Sequence, residues 1–412
     1  MAQQQGAGAA SLTVGAKVGG ASMVVGLVSL AHAVSHAYGA ILPLILPAMR
    51  EELGLTYTQI GLMFTVSSLV WSPLQLGFGV VGRYCSRHML LGLGHIFQGV
   101  AVVGTGFVHS FGEFLAWRIT ARIADAPQHP IGNALISQSF SPERRGLGLA
   151  INAAGSNLGT VAVPLLGGLM IASLGWRSTI AFFGLFGILV GALIIGVLED
   201  YRGQIRSGQS TGHVGNELLG LLRHRDARLL LLANILGAGG RGLSVATLYV
   251  PLYLSQTLGV DQIRLGGLLT LMMVGSVVGP LLAGALSDRV GRKPVLLVDY
   301  VFAVLCFGGL MLVGTNLWTL PLVLLLTGIA VYSEGAVLQT ALADVADKTS
   351  MDMLFGLYFT IGAAIAAPWA VFLGKVVDVY GFHAAFAVMG ISQILAGLCI
   401  LPARLRRDAV PA

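Results

Sequence analysis

Apolar stretches of about 20 residues, each long enough to cross roughly 30 Å of hydrocarbon as a helix, recur along the whole chain between short polar breaks. Twelve of them begin near residues 21, 57, 88, 112, 145, 178, 228, 264, 294, 317, 353 and 382. Backbone polar groups in hydrocarbon must be satisfied within their own segment, so the pattern predicts membrane-crossing helices joined by turns in water. The most polar long gap, residues 199–228, carries five arginines and divides the stretches six and six. The expected architecture is therefore an all-α membrane protein with twelve transmembrane helices in two six-helix bundles. Its parts are a tail at 1–20, a bundle at 21–198, a linker at 199–227, a bundle at 228–402 and a tail at 403–412.

Composition agrees with this reading. With 55% apolar residues, 10% charged and a mean hydropathy of +0.83, the chain lies far outside soluble norms. The 57 glycines fit as well, because small residues let membrane helices approach closely. The net charge is +6, yet 17 of the 24 Lys and Arg fall in breaks on one side. Arg50, Arg177, Arg264 and Lys375 lie on the other side, and three more lie within spans. That asymmetry follows the positive-inside rule and places both termini in the cytoplasm, so the surplus reads as topology and no nucleic-acid partner is expected. The first stretch is too long for a signal-peptide core and has no small-residue cleavage site behind it, so it is expected to be retained. Cys85, Cys306 and Cys399 are scattered and give neither a disulfide framework nor a metal-ligand spacing.

The two halves repeat. At an offset of 205 residues Gly54 falls on Gly259, Gly61 on Gly266 and Gly79 on Gly284; beyond residue 140 the register drifts by one or two. The stretch 284–294 reads Gly-Ala-Leu-Ser-Asp-Arg-Val-Gly-Arg-Lys-Pro, a charged turn between two apolar runs, and its first-half copy begins at Gly79. Its pattern, Gly-x-Leu-x-Asp-Arg-x-Gly-Arg-Lys, resembles the signature loop of the major facilitator superfamily of secondary transporters. The resemblance implies parallel six-helix repeats around a substrate site near the membrane midplane. It also implies that Gly284, Asp288, Arg289, Gly291 and Arg292 form a gating motif that latches the cytoplasmic helix ends. The first-half copy has Arg83 in place of Asp288, which puts its latch in doubt.

Chemistry inside the spans is sparse. In the fourth span Arg118 matches the arginine of a second superfamily pattern, while Arg122 and Asp125 stand where that family is small. Steps of three and four put Arg118, Arg122, Asp125 and His129 on one helix face. A charge at mid-bilayer costs about 2.5 to 3.5 kcal/mol on insertion scales, so that face requires an ion pair or a hydrated cavity. An internal Arg122–Asp125 pair and a ligand or proton role both remain open. His129-Pro130 followed by Arg145-Gly146 also looks like the fosmidomycin-resistance branch. The repeat superposes His36 on Arg241 and His129 on Glu334, and in this fold the first, fourth, seventh and tenth helices line the central cavity. His32 lies one turn before His36, and Tyr38, Tyr249 and Tyr332 add polar aromatic surface.

The candidate substrate-binding set is thus His32, His36, Arg122, His129, Arg241 and Glu334, with Asp125, Glu334 and His129 as proton-coupling candidates. For each lone histidine a satisfied core position is the competing reading. A metal site at His32 and His36 is not expected without carboxylate or thiol partners nearby. The cation excess favours a small organic anion or drug-like solute, since arginine recognises carboxylate, phosphate and phosphonate. Neither a Gly-x-x-x-x-Gly-Lys-Ser/Thr loop nor a His-Glu-x-x-His motif occurs, so the expected energy source is a proton gradient and no enzyme activity or cofactor is implied. Gly155-Ser-Asn-Leu-Gly159 and Pro164-Leu-Leu-Gly167-Gly168 resemble an antiporter motif imperfectly, with Val163 in place of a glycine. Export is expected on that basis, with proton-coupled uptake as the alternative and a non-transporting receptor as a third reading. The expected setting is a bacterial-type inner membrane, with the protein acting as a monomer.

Overall fold

The computed structural model describes residues 18–82, 84–141, 144–198, 223–241, 245–345 and 351–405, and these residues form helices, turns and short connections with no strand among them. The helices are α1 (Val18–Leu53), α2 (Tyr57–Val81), α3 (Arg87–Thr105), α4 (Phe111–Asp125), α5 (Gln128–Ser139) and α6 (Arg145–Val197) in the first half. The second half has α7 (Arg225–Gly237), α8 (Thr247–Gln256), α9 (Gln262–Val290), α10 (Arg292–Leu312), α11 (Thr319–Val345) and α12 (Met351–Ile400). Eight of the helical segments are long and apolar enough to cross a membrane. Two are double: α6 turns at Gly175 (φ 76°, ψ 163°) and α12 at Gly381 (φ 81°, ψ 177°). A positive φ of this kind excludes most side chains, so each glycine ends one span and starts the next. Two further spans are broken, the fourth into α4 and α5, and the seventh into α7, a 3-10 turn over Ala238–Gly240 and α8. The outcome is twelve crossings in two sets of six. The helix α1 begins at Val18, inside the tail expected at 1–20; residues 1–17 and most of the linker expected at 199–227 lie outside the described residues.

The repeat survives at the level of backbone. Gly54 and Gly259 share positive φ values of 63° and 65°. Two residues later Thr56 caps α2 and Asp261 caps α9, each accepting from the backbone N–H three positions on. Residues whose side chains terminate the same helix in both halves are a firmer sign of duplication than shared glycines, because each cap satisfies orphan N–H groups.

The halves meet at the end of the molecule opposite the start of α1, here the far end. The Asp378 carboxylate of the eleventh span accepts from the backbone N–H groups of Tyr57 (2.9 Å) and Thr58 (2.8 Å) and from the Thr58 hydroxyl (2.5 Å). Arg50 donates to Gln256, and Gln256 in turn donates to Glu51. Below these polar contacts the backbones touch. A Cβ at Gly61 would strike the Ala370 carbonyl, and one at Gly266 would strike the Pro164 carbonyl. The second and eleventh spans therefore pack as the eighth and fifth do, one joint repeated about the pseudo-twofold axis. The cleft between the halves is closed at this end, over an apolar floor that includes Pro43, Pro164, Pro251 and Met273.

At the near end the charged turn does what its residues allow. Gly291 (φ 97°) reverses the chain between α9 and α10. Arg292 then donates to Asp288 one turn back, to the Ser287 hydroxyl (2.7 Å) and to Asp344 at the end of α11 (3.0 Å). Lys293 donates to the carbonyls of Leu401 (2.5 Å) and Ala403 (3.0 Å). One loop thus ties the eighth, ninth, tenth and twelfth spans. Arg87, which the repeat places opposite Arg292, instead donates to the Gly82 carbonyl (3.2 Å), and Arg83 lies outside the described residues.

Candidate functional site

Among the described residues each half carries a buried polar cluster at an interrupted helix. In the first half the break follows Asp125 at the end of α4. The Asp125 carboxylate accepts from Arg122 (2.8 Å), from Gln98 (3.1 Å) and, at very short range, from the Ser35 hydroxyl. Its side chain is 2% exposed, whereas that of Arg122 keeps 21%. The internal pair, one of the two readings the sequence leaves open, is therefore present, and it leaves the cation at the edge of the cleft. The Arg122 guanidinium also lies 3.9 Å from the Trp71 ring centroid, a cation–π contact worth about 0.5–2 kcal/mol depending on desolvation. Trp71 also meets His129 edge-on, centroid to centroid 5.9 Å.

His32, His36 and His129 form a triangle of edge-on rings with centroid separations of 4.8, 5.0 and 6.4 Å. His32 is buried and its Nδ1 contacts the Asn152 carbonyl at 3.2 Å. His36 Nδ1 contacts the Thr160 hydroxyl at 3.0 Å. The fifth span thereby orients both histidines of the first.

In the second half the break is at Arg241, which leaves helical geometry (φ −76°, ψ 143°) after the glycine-rich turn. Its guanidinium donates to Glu334 (2.7 Å), to the Asn234 side chain (2.7 Å) and to the Asn234 carbonyl (3.2 Å). Tyr300 donates to the same Glu334 oxygen at 3.3 Å. The second oxygen of Glu334 is buried without a partner. Both side chains are shielded, at 12% and 2% exposure, so this pair sits deeper than Arg122–Asp125. Gly237 makes room for it, because a Cβ there would lie 2.5 Å from the Glu334 carboxylate.

The sequence-derived set thus falls into two groups, His32, His36 and His129 with Arg122 and Asp125 in the first half and Arg241 with Glu334 in the second. Arg118 stands apart, one turn before Arg122, with its Nε buried and unpartnered beside Tyr38, Thr105 and Phe114. Two of the three expected aromatic contributors are committed elsewhere. Tyr38 donates to the Phe183 carbonyl (3.2 Å), and Tyr249, fully buried, donates to the Ala370 carbonyl (2.5 Å). Tyr332 meets the Thr247 hydroxyl at 2.6 Å. Gly155 and Gly159 of the antiporter-like stretch seat the Ser29 and Ala33 carbonyls of the first span, so close helix packing accounts for them.

A model of the Major Facilitator Superfamily matches residues 28–370. The chain belongs to this superfamily. Among its relatives the Fosmidomycin resistance protein of Escherichia coli strain K12 is 24% identical over 412 residues, covering 98% of each chain. The Membrane sensor protein UhpC of Salmonella typhimurium strain LT2 is 25% identical, over 84% of this chain and 83% of that protein. A Probable L-galactonate transporter of Escherichia coli strain K12 is 34% identical, but over only 37% of this chain and 33% of that one. The fold matches a crystal structure of the nucleoside transporter NupG with a TM-score of 0.77 at 12% identity, covering 92% of this chain and 98% of that one. It also matches a bacterial homologue of the human lysosomal transporter Spinster in an inward-facing conformation, with a TM-score of 0.75 at 15% identity and coverage of 95% and 99%.

As a major facilitator protein this chain places its polar groups where the fold has discontinuous helices, backbone that membranes tolerate only around cavities or within protein. Sequence reasoning missed Trp71, Ser35, Gln98, Asn234 and Tyr300. Asn234 was findable, since it lies seven residues, or two helical turns, before Arg241. Gln98 also carried a signal, as a lone amide in an apolar run. Ser35, Trp71 and Tyr300 carry none that separates them from packing residues.

Proposed function

We propose that this chain is a proton-coupled secondary transporter of a small organic anion, working by alternating access, with export the favoured direction. The observation that supports the reading most is the state of Arg122. One guanidinium nitrogen is spent on Asp125, the face is stacked on Trp71, and the side chain stays partly open to the cleft. Fork-shaped donors in a low-dielectric cleft favour carboxylate, phosphate or phosphonate, and the anion would compete with Asp125 for that fork. Glu334 is the proton carrier in this scheme. It faces Arg241, Tyr300, Tyr358 and Asp299, and taking up a proton would release Arg241 for a ligand. The far-end closure is then one snapshot of the cycle, in which the Arg292 loop holds together the near ends of the second-half helices. Fosmidomycin resistance in a relative covered end to end supports export of an anionic or drug-like solute. No ATP-binding loop offers another energy source.

Similarity to a membrane sensor over more than four fifths of the chain favours a second reading, in which ligand binding is reported without flux. Reconstitution into vesicles separates the two. Transport predicts flux of organic anions that rises with an imposed pH gradient and falls in Arg122→Ala. Flux indifferent to the gradient removes the proton role, and binding without flux supports the sensor.

A further inference from the structure

We propose that His32, His36 and His129 form a binding site for one divalent transition-metal ion of the zinc class, with a coordination position left open to the cleft. The inference stands on the geometry of the triad and does not depend on the transport reading. One ring nitrogen from each of the three lies within 4.8 Å of the others. The third imidazole, which the first span alone lacks, comes from the fourth span.

The hydrogen bonds around the triad fix the tautomers of His32 and His36. His32 Nδ1 faces a backbone carbonyl, an acceptor only, so it carries the proton and Nε2 keeps the lone pair. Nε2 of His32 is buried and has no partner. The Thr160 hydroxyl donates its own proton to the Ser156 carbonyl (3.0 Å), so it accepts from His36 Nδ1 and again leaves Nε2 basic. Metal-bound histidines characteristically show this arrangement, one ring nitrogen donating to a carbonyl or hydroxyl and the other free to ligate. A satisfied core histidine would use both nitrogens. An unmatched buried acceptor costs about 1–3 kcal/mol, which a ligand in the triangle would recover.

The donor set selects the ion. Three neutral imidazoles suit zinc, copper or nickel, whereas calcium and magnesium require oxygen ligands. Zinc–nitrogen bonds near 2.0–2.1 Å at tetrahedral angles put ligating nitrogens about 3.3 Å apart. The rings therefore need to draw in by at most about 1.5 Å, and His36 and His129 are only half-buried. Three protein ligands leave a fourth position, beside Trp71 and the Arg122–Asp125 pair. The alternative occupant is a bridging water.

The test uses full-length protein purified in detergent without a polyhistidine tag, stripped with chelator and titrated with Zn²⁺ or Co²⁺. The expected result is one ion per chain, with cobalt giving the visible ligand-field bands of a nitrogen-rich tetrahedral or five-coordinate site. His36→Gln and His129→Gln should weaken binding on the order of a hundredfold and Thr160→Val about tenfold, with His383→Gln unchanged. Because the histidine variants could misfold, wild-type protein is also treated with diethyl pyrocarbonate with and without Zn²⁺. The metal should protect His36 and His129 but not His383. Absence of stoichiometric binding, equal affinity in His36→Gln and His129→Gln, or no protection overturns the site in favour of bridging water.

Discussion

Asp378 holds Thr58 twice, accepting from both its backbone N–H and its hydroxyl, and so caps a helix that belongs to the other half of the molecule. A helix start carries partial positive charge and unsatisfied donors, so this carboxylate fastens the far end with charge-assisted hydrogen bonds. Asp378→Asn keeps the shape and removes the charge. Each such bond contributes about 1.5–3 kcal/mol, so the population closed at the far end should fall about tenfold or more. Distances between spin labels placed across the far end report the shift; unchanged distributions would show that the apolar joint alone closes the cleft.

Gly61 and Gly266 test that joint from the other direction. Valine at either position collides with a carbonyl of the opposite half, an overpacking cost of about 1–3 kcal/mol confined to the far-closed state. Gly61→Val and Gly266→Val should each hold the far end open while leaving detergent stability nearly unchanged. Cysteine labelling of the cleft from the far side should rise in both.

Arg241 and Glu334 make a buried pair whose members cannot be removed singly without leaving an uncompensated charge. Glu334→Ala and Arg241→Ala should each destabilise by about 3–5 kcal/mol, while Arg241→Met with Glu334→Leu restores most of the loss. Thermal unfolding in detergent gives the comparison. A double variant as unstable as the singles would mean that the pair is not the source of the effect.

Anion binding at Arg122 predicts a ligand-dependent thermal shift. Organic anions at a hundred times their dissociation constant should stabilise the wild type by about 2.7 kcal/mol. The shift should vanish in Arg122→Ala, shrink in Trp71→Ala and persist in Trp71→Phe, which keeps a ring for the cation. Stabilisation that is the same in Arg122→Ala places the anion elsewhere.

The near-end loop yields a graded outcome. Arg292→Ala frees Asp288 and Asp344 together, two partly exposed contacts worth roughly 0–1 kcal/mol each. Unfolding temperature should move little, whereas the rate of exchange between conformations should change, as read by single-molecule fluorescence across the near end.

Much of this fold was legible because membrane helices announce themselves by length and apolarity, and helix starts near 57, 145 and 382 match the structure closely. The interruption at Arg241 was not anticipated. Its cause lies in Gly237, Gly239 and Gly240, which read in sequence as ordinary membrane-helix glycines. At the site, the repeat offset superposed His36 on Arg241 and His129 on Glu334, which marked the positions but not which of them would touch. It could not supply Trp71, whose role depends on how the second span leans against the fourth. Tyr38 and Tyr249 misled for the same reason: a hydroxyl in an apolar run does not reveal which carbonyl it will find.

At Gly61 and Gly266 a carbonyl of the opposite half meets the glycine backbone directly, and at Gly61 the Tyr249 hydroxyl of the second half shares the seam, reaching the Tyr57 carbonyl. A glycine against a carbonyl has no rotamer to flip, so the helices can roll apart at those two points as a bearing turns without gears disengaging. The work of opening the far end then falls on the polar fastenings, those of Asp378, Arg50 and Gln256 nearer the surface and the buried hydroxyls of Thr65 and Tyr249 in the seam itself.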